Sequence, residues 1–156
     1  MNMEKTLVMK MLDSKKISYK VHDYSKYNFT DGEEIAKVLN EDPNKVFKTL
    51  VTVGKSKKNY VFVVPVNREL DLKKAAKACN EKNIELIHQK DLLPLTGYVH
   101  GGCSPIGMKK KFPTFIDLSS KNYDSFCVSG GKIGYQIEIS PLDLANFVGA
   151  KFADLI

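Results

Sequence analysis

The chain alternates between two hydrophobic periods. Within residues 3–16, Leu7, Val8, Met11 and Leu12 fall on one helical face. Residues 17–24, ISYKVHDY, switch to alternation, with Ile17, Tyr19, Val21 and Asp23 set against their neighbours, which predicts a strand. Thr30 followed three positions on by Glu33 forms a capping-box pattern and opens a helix to about Leu39. Asp42-Pro43 reads as the cap and first position of a short helical turn. Two runs rich in β-branched residues, VFKTLVTV (46–53) and YVFVVPV (60–66), flank the polar segment GKSKKN and predict a hairpin. Asp71 caps the helix LKKAAKACN, ELIHQ (85–89) is a short strand and DLLPL a helical turn. TFIDLS (114–119) reads as a strand, and FCVSGGKIGYQIEI (126–139) as two strands about a Gly-Gly turn. Ser140-Pro141 opens a last helix that Gly149 stops.

Helices at both ends and a strand-rich middle predict an α+β or mixed α/β fold with a largely mixed sheet. The strands do not alternate with helices, and no GxGxxG or P-loop motif is present, which argues against a doubly wound nucleotide-binding fold. A length of 156 residues predicts one domain spanning 1–156. Such a chain buries roughly two-thirds of its unfolded surface. The longest apolar run, Val61 to Val66, is too short to span a membrane. Glu4, Lys5 and Lys10 interrupt the N-terminal segment, unlike a signal peptide. The expectation is a cytoplasmic protein with no membrane partner. Cys79, Cys103 and Cys127 are odd in number and widely spaced, which disfavours a disulfide framework or zinc ribbon; the expectation is free thiols.

Charge narrows the partner. The net charge is +6 at pH 7, carried by 24 basic residues of which only Arg68 is arginine. A basic surface suits a polyanion such as nucleic acid. Lysine meets phosphate as a point charge, whereas arginine supplies the fork that reads guanine edges, so backbone or end recognition is expected.

Three features point to chemistry. Lys48 lies inside a predicted strand, neither face of which is plainly solvent. It either snorkels to water or serves a ligand as a cation. The stretch GYVHGGCSPIG (97–107) holds Gly101, Gly102 and Gly107, which permit positive φ and close backbone approach, so its amides can line an anion or carbonyl site. A tight reversal of the chain is the plainer reading of the same loop. His100 with Cys103 suggests a Cys-His pair, but no orienting third group accompanies it. No HExxH, EF-hand or clustered Cys/His set is present, so no metal and no cofactor are expected. His22 and His88 read as structural, while Ser104 and Ser129 are candidate hydroxyl ligands.

Together, KISY (16–19), VFKTLV (46–51), LDLKKAAKA (70–78), TGYVHGGCSPIG (96–107), the K-K-x-P-T-x-I-D pattern at 110–117, VSGGKIG (128–134) and the end AKFADL (150–155) resemble the YbaK/EbsC family of aminoacyl-tRNA deacylases. These are relatives of the editing domain inserted in bacterial prolyl-tRNA synthetases. The resemblance implies a curved, partly barrel-like mixed sheet flanked by helices. It implies deacylation of mischarged tRNA, typically cysteinyl-tRNA(Pro), at the terminal adenosine. It also implies prolyl-tRNA synthetase as a partner. By the same resemblance Lys48, Gly101 and Gly102 are catalytic, and Tyr19, Ser104, Pro105, Ser129, Gly130 and Gln136 bind substrate. Gln136 departs from the aspartate that YbaK-type members often carry, and Gln cannot hold charge. For a cysteinyl substrate the resemblance suggests attack by the substrate's own thiol, which tolerates Gln136. Lys55, Lys57, Lys58, Lys109, Lys110 and Lys111 are the candidate tRNA phosphate contacts. Two other readings stay open: a deacylase for another aminoacyl group such as alanyl-tRNA(Pro), and a non-catalytic binder of the tRNA end.

Overall fold

The β-branched runs at 46–66 form the expected hairpin. In the computed structural model, which describes residues 4–156, β2 (Phe47–Gly54) pairs antiparallel with β3 (Asn59–Pro65), Lys48 opposite Val64. β1 (Lys20–Asp23) precedes them and is shorter than the alternation at 17–24 predicts. β4 (Ile84–Leu86) pairs with the far end of β2, while β5 (Thr114–Asp117) and β8 (Lys151–Ala153) extend the β3 side in parallel. The result is a mixed five-stranded sheet of order β4-β2-β3-β5-β8. A second, antiparallel sheet of order β1-β7-β6 is built from β6 (Phe126–Lys132) and β7 (Tyr135–Ile139). A single parallel bridge, Val46 to Cys127, joins the sheets.

Local signals set the helices. In α1 (Leu7–Ser14) the Thr6 hydroxyl caps the amide of Met9. The buried face is Val8, Met9 and Leu12, while Leu7 is exposed, so the inward stripe is rotated from the expected one. Met3, the first residue of the expected helix, lies outside the described residues. α2 (Gly32–Val38) has its cap one position later than expected: Asp31, not Thr30, occupies that place, and it makes no side-chain cap bond. Asp42 caps a 3-10 turn, Asp71 caps α3 (Leu72–Cys79) and Ser140 caps α5 (Pro141–Val148), all as the sequence predicts. α4 (Leu92–Thr96) is the expected helical turn.

The turn between β6 and β7 corrects the sequence reading. Gly130 and Gly131 lie within β6, where the register shifts between Ser129 and Lys132, and Gly134 (φ +104°) makes the reversal. A bulge uses the extra residue that a hairpin reading assigns to the turn.

One core fills the space between the sheets and α1, with Phe47 and Phe126 in edge-to-face contact at 4.9 Å. A second, around Phe62 and Phe115, lies between the five-stranded sheet and α3. Among the described residues no helix is long and apolar enough to cross a membrane.

Candidate active site

A cleft of about 420 Å³ opens where the start of β2 meets the second sheet. Its walls come from Tyr24, the segment Thr30–Gly32, residues 46–50, Glu69, the loop residues His100, Gly101 and Cys103, and Val128, Ser129 and Gln136. This gathers Lys48, Gly101, Ser129 and Gln136, four of the residues singled out from sequence. β2 has no strand partner beside Phe47–Val51 on its β4 side, since β4 pairs only from Thr52 onward. Side chains from both of its faces therefore reach the cleft.

Lys48 is half-buried and forms no ion pair with any described carboxylate. Next to it the hydroxyl of Thr49 is buried without a hydrogen-bond partner among the described residues. A buried, unmade hydrogen bond costs about 1–3 kcal/mol, so Thr49 carries unspent capacity on the cleft wall. Gly101 holds φ +89°, and a Cβ there would stand 2.8 Å from the Thr30 side chain. Only glycine lets the loop approach Thr30 this closely.

The other predicted residues fall elsewhere. The Gly102 amide already donates to the Val99 carbonyl at 3.0 Å, closing a turn. Ser104 is fully buried and its hydroxyl accepts from the Ile106 amide. Gly130 offers its carbonyl to Thr6, tying β6 to α1. Tyr19 lies outside the cleft and its hydroxyl donates to Asp13 at 2.8 Å. The aromatics that line the cleft are Phe47 and Tyr24, the latter buried directly after β1. The position of Tyr24 in VHDY, five residues beyond Tyr19, was a signal the sequence reading passed over. Pro105, with Lys110 and Lys111, lines a separate, larger groove of about 670 Å³ against α1 and α5. Lys109 is exposed beside them. Lys55, Lys57 and Lys58 are exposed at the hairpin turn, roughly 20 Å along extended strand from Lys48.

Cys103 faces the cleft but is not poised to attack. Burial pushes its thiol up to about 12, leaving almost no thiolate at neutral pH.

Behind the cleft floor is a polar cluster that sequence reasoning missed. Gln136 is 4% exposed. Set so that its nitrogen faces Glu41, its amide donates to both carboxylate oxygens, at 3.0 and 2.9 Å; the reverse setting puts oxygen against oxygen. The Cys127 thiol also donates to Glu41, and His22 Nε2 lies 3.7 Å from the same carboxylate. His22 bonds Glu138 at 2.8 Å, Ser125 donates to Glu138, and Lys45 stands 3.6 Å from it. Hydrogen bonds from Ser125 and His22 hold Glu138 down to about 2. Burial raises Glu41, against the pull of His22. His22, Cys127 and Glu138 present donor atoms within 4.8 Å of one another, although Lys45 and Ser125 already occupy the carboxylate.

An aminoacyl-tRNA editing domain model matches residues 28–147, a span that contains every cleft residue except Tyr24. The chain belongs to that family. Among its relatives, a protein named as the Cys-tRNA(Pro)/Cys-tRNA(Cys) deacylase EbsC of Enterococcus faecalis is 42% identical over 97% of this chain and 93% of its own length. A proline–tRNA ligase of Caldicellulosiruptor saccharolyticus is 29% identical over 79% of this chain but only 21% of the ligase. A crystal structure described as a trans-editing enzyme for prolyl tRNA synthetase superposes with a TM-score of 0.82 at 25% identity, covering 95% of this chain and 93% of that one. The mixed α/β fold expected from sequence is therefore that of the editing domains, and tRNA is the class of substrate that the family implies. The smaller cleft brings Lys48, Gly101, Ser129 and Gln136 together, while the larger groove carries Lys15, Lys110, Lys111, Asp143 and Asn146 among mainly apolar walls.

Proposed function

We propose that this protein is a trans-editing deacylase that cleaves the ester between a misattached amino acid, cysteine foremost, and the terminal adenosine of tRNA(Pro). The observation that carries this reading is the joining of Lys48, Gly101, Ser129 and Gln136 in one cleft.

An aminoacyl ester is already activated, so the site must hold it and stabilise the oxyanion that develops. Lys48, free of any described carboxylate, is the cation for the carbonyl oxygen or the terminal phosphate. Of the two loop glycines, Gly101 is the amide available to the oxyanion, because the Gly102 amide is bonded to Val99. Thr49 and Ser129 offer hydroxyls, and Tyr24 an aromatic wall.

No side chain in the cleft is set to attack, which favours a nucleophile from the substrate. The cysteinyl thiolate attacks its own carbonyl carbon and the ester C–O bond breaks. The ribose oxygen takes up a proton, and water opens the resulting thiolactone to free cysteine. The lysines at 55–58 and 109–111 are the proposed phosphate contacts. Prolyl-tRNA synthetase, whose relatives carry a matching segment, is the proposed partner, in the cytoplasm.

Deacylation of cysteinyl-, seryl- and alanyl-tRNA(Pro) by the purified protein tests this. Rapid loss of the cysteinyl ester alone is expected. Equal cleavage of the seryl ester would remove the thiol from the mechanism, and cleavage of only the alanyl ester would change the substrate. Binding of tRNA with no turnover of any ester would make the protein a binder of the tRNA end.

A further inference from the structure

Gln136 raises a question of polarity. A neutral amide on a cleft floor can point either its oxygen or its nitrogen at a ligand, and the two present opposite partial charges. Here the nitrogen is committed. Both Glu41 oxygens accept from it, at 3.0 and 2.9 Å, and the opposite orientation would set the amide oxygen against a carboxylate. Gln136 lines the cleft, and its bonds to Glu41 use only the nitrogen. Glu41 itself does not line the cleft. It is faced by His22 from β1, Cys127 from β6 and Glu138 from β7, with Lys45 reaching Glu138. Its side chain is 14% exposed. A carboxylate so placed acts on the cleft only through Gln136.

We propose that Glu41 is a positioning residue. It fixes the Gln136 amide so that its oxygen accepts an N–H or O–H of the aminoacyl-adenosine, and it sets a negative charge directly behind that oxygen. The cleft is thereby polarised. Lys48 marks the end that takes the carbonyl or phosphate, and Gln136 with Glu41 the end that takes a donor such as the α-ammonium. Asp31 and Glu69 line the cleft as well, but Glu41 is the carboxylate that holds the Gln136 amide. This inference rests on the deacylase reading for its catalytic consequence, but not for the geometry.

The test exchanges the two groups. Glu41→Gln leaves two amides with no fixed orientation, and kcat on cysteinyl-tRNA(Pro) should fall at least tenfold with KM changing less. Gln136→Glu sets two carboxylates about 3 Å apart, which share one proton at low pH and repel once both ionise, so its activity should fall as pH rises. The double variant Glu41→Gln/Gln136→Glu restores one donor and one acceptor, and should recover activity to within about threefold of the native protein. Such coupling is what a double-mutant cycle detects. Singles whose losses merely add, or a folded Glu41→Ala protein with kcat within twofold of native, would overturn the proposal.

Two readouts need no turnover. The Gln136 side-chain amide protons should exchange slowly in the native protein and fast in Glu41→Ala. A non-hydrolysable amide-linked cysteinyl-adenosine should bind Glu41→Ala at least tenfold more weakly. If the native protein cleaves no ester, the deacylase reading fails and these two measurements alone decide the positioning role. Unchanged exchange or unchanged analogue affinity in Glu41→Ala would defeat it.

Discussion

The two hollows on either side of the glycine loop are lined by different chemistry. The groove against α1 and α5 is the larger, about 670 Å³, with walls of Met11, Ile17, Met108, Phe112, Phe147 and Val148 and a rim that includes Lys15, Lys110 and Lys111. The cleft is smaller, about 420 Å³, and combines a cation and a hydroxyl with no partner among the described residues, a glycine at positive φ, and an amide backed by a buried carboxylate. The loop is shared: His100, Gly101 and Cys103 face the cleft, while Pro105, Gly107 and Met108 face the groove. Size alone would choose the groove, whereas the proposed function places the site in the cleft. An ester needs a small number of oriented polar groups, and the proposal takes them to be Lys48, Gly101, Ser129 and Gln136 of the cleft rather than Lys15, Asp143 and Asn146 of the groove.

That contrast is open to attack from several sides, most forcefully at Lys48. Lys48→Ala should lower single-turnover deacylation by about 10²–10³-fold while leaving the melting temperature nearly unchanged, since the side chain is half-buried and makes no ion pair. Gly101→Ala comes next. With φ at +89° and Thr30 2.8 Å from the new methyl, it should cost about 1–3 kcal/mol in denaturant unfolding and disable the cleft.

Acid should separate the cluster behind the floor from the rest of the molecule. Glu138 is held at about 2, below the 4.5 usual for a glutamate. A depressed carboxylate contributes stability above its unfolded pKa and loses it as pH falls through the folded one. The native protein should therefore lose on the order of 2 kcal/mol between about pH 4.5 and 2 from this group, a loss that Glu138→Gln should not show when unfolding is followed against pH.

Smaller effects are expected on the groove side. Lys110→Ala with Lys111→Ala should weaken tRNA binding by less than about tenfold at low salt and flatten its salt dependence by roughly two phosphates. Iodoacetamide near pH 8 should leave activity intact. Burial keeps the Cys103 thiol up at about 12, and mass spectrometry should find Cys103 unlabelled.

How much of this the sequence discloses depends on the range of each contact. The caps at Asp42, Asp71 and Ser140 and the hairpin around GKSKKN are local and could be read directly. The position of Lys48 followed from its strand, and that of Gly101 from its loop. The Gly130-Gly131 bulge was misread because a glycine pair signals a turn unless the partner strand is known to continue past it. β8 was missed because three residues pair only with β5, far away in sequence. The choice of Tyr24 over Tyr19 turns on where β1 ends, which alternation alone does not fix. The Glu41–Gln136 pair was out of reach, since nothing local to either residue names the other.

The most direct test of the cleft is to titrate the protein with the amide-linked cysteinyl-adenosine and follow its backbone amides by NMR. Shifts at Gly101, Ser129 and Gln136, with Met108, Phe112 and Val148 unmoved, are predicted. Shifts confined to Met108, Phe112 and Val148 would put the aminoacyl end in the larger groove and contradict the assignment of the site.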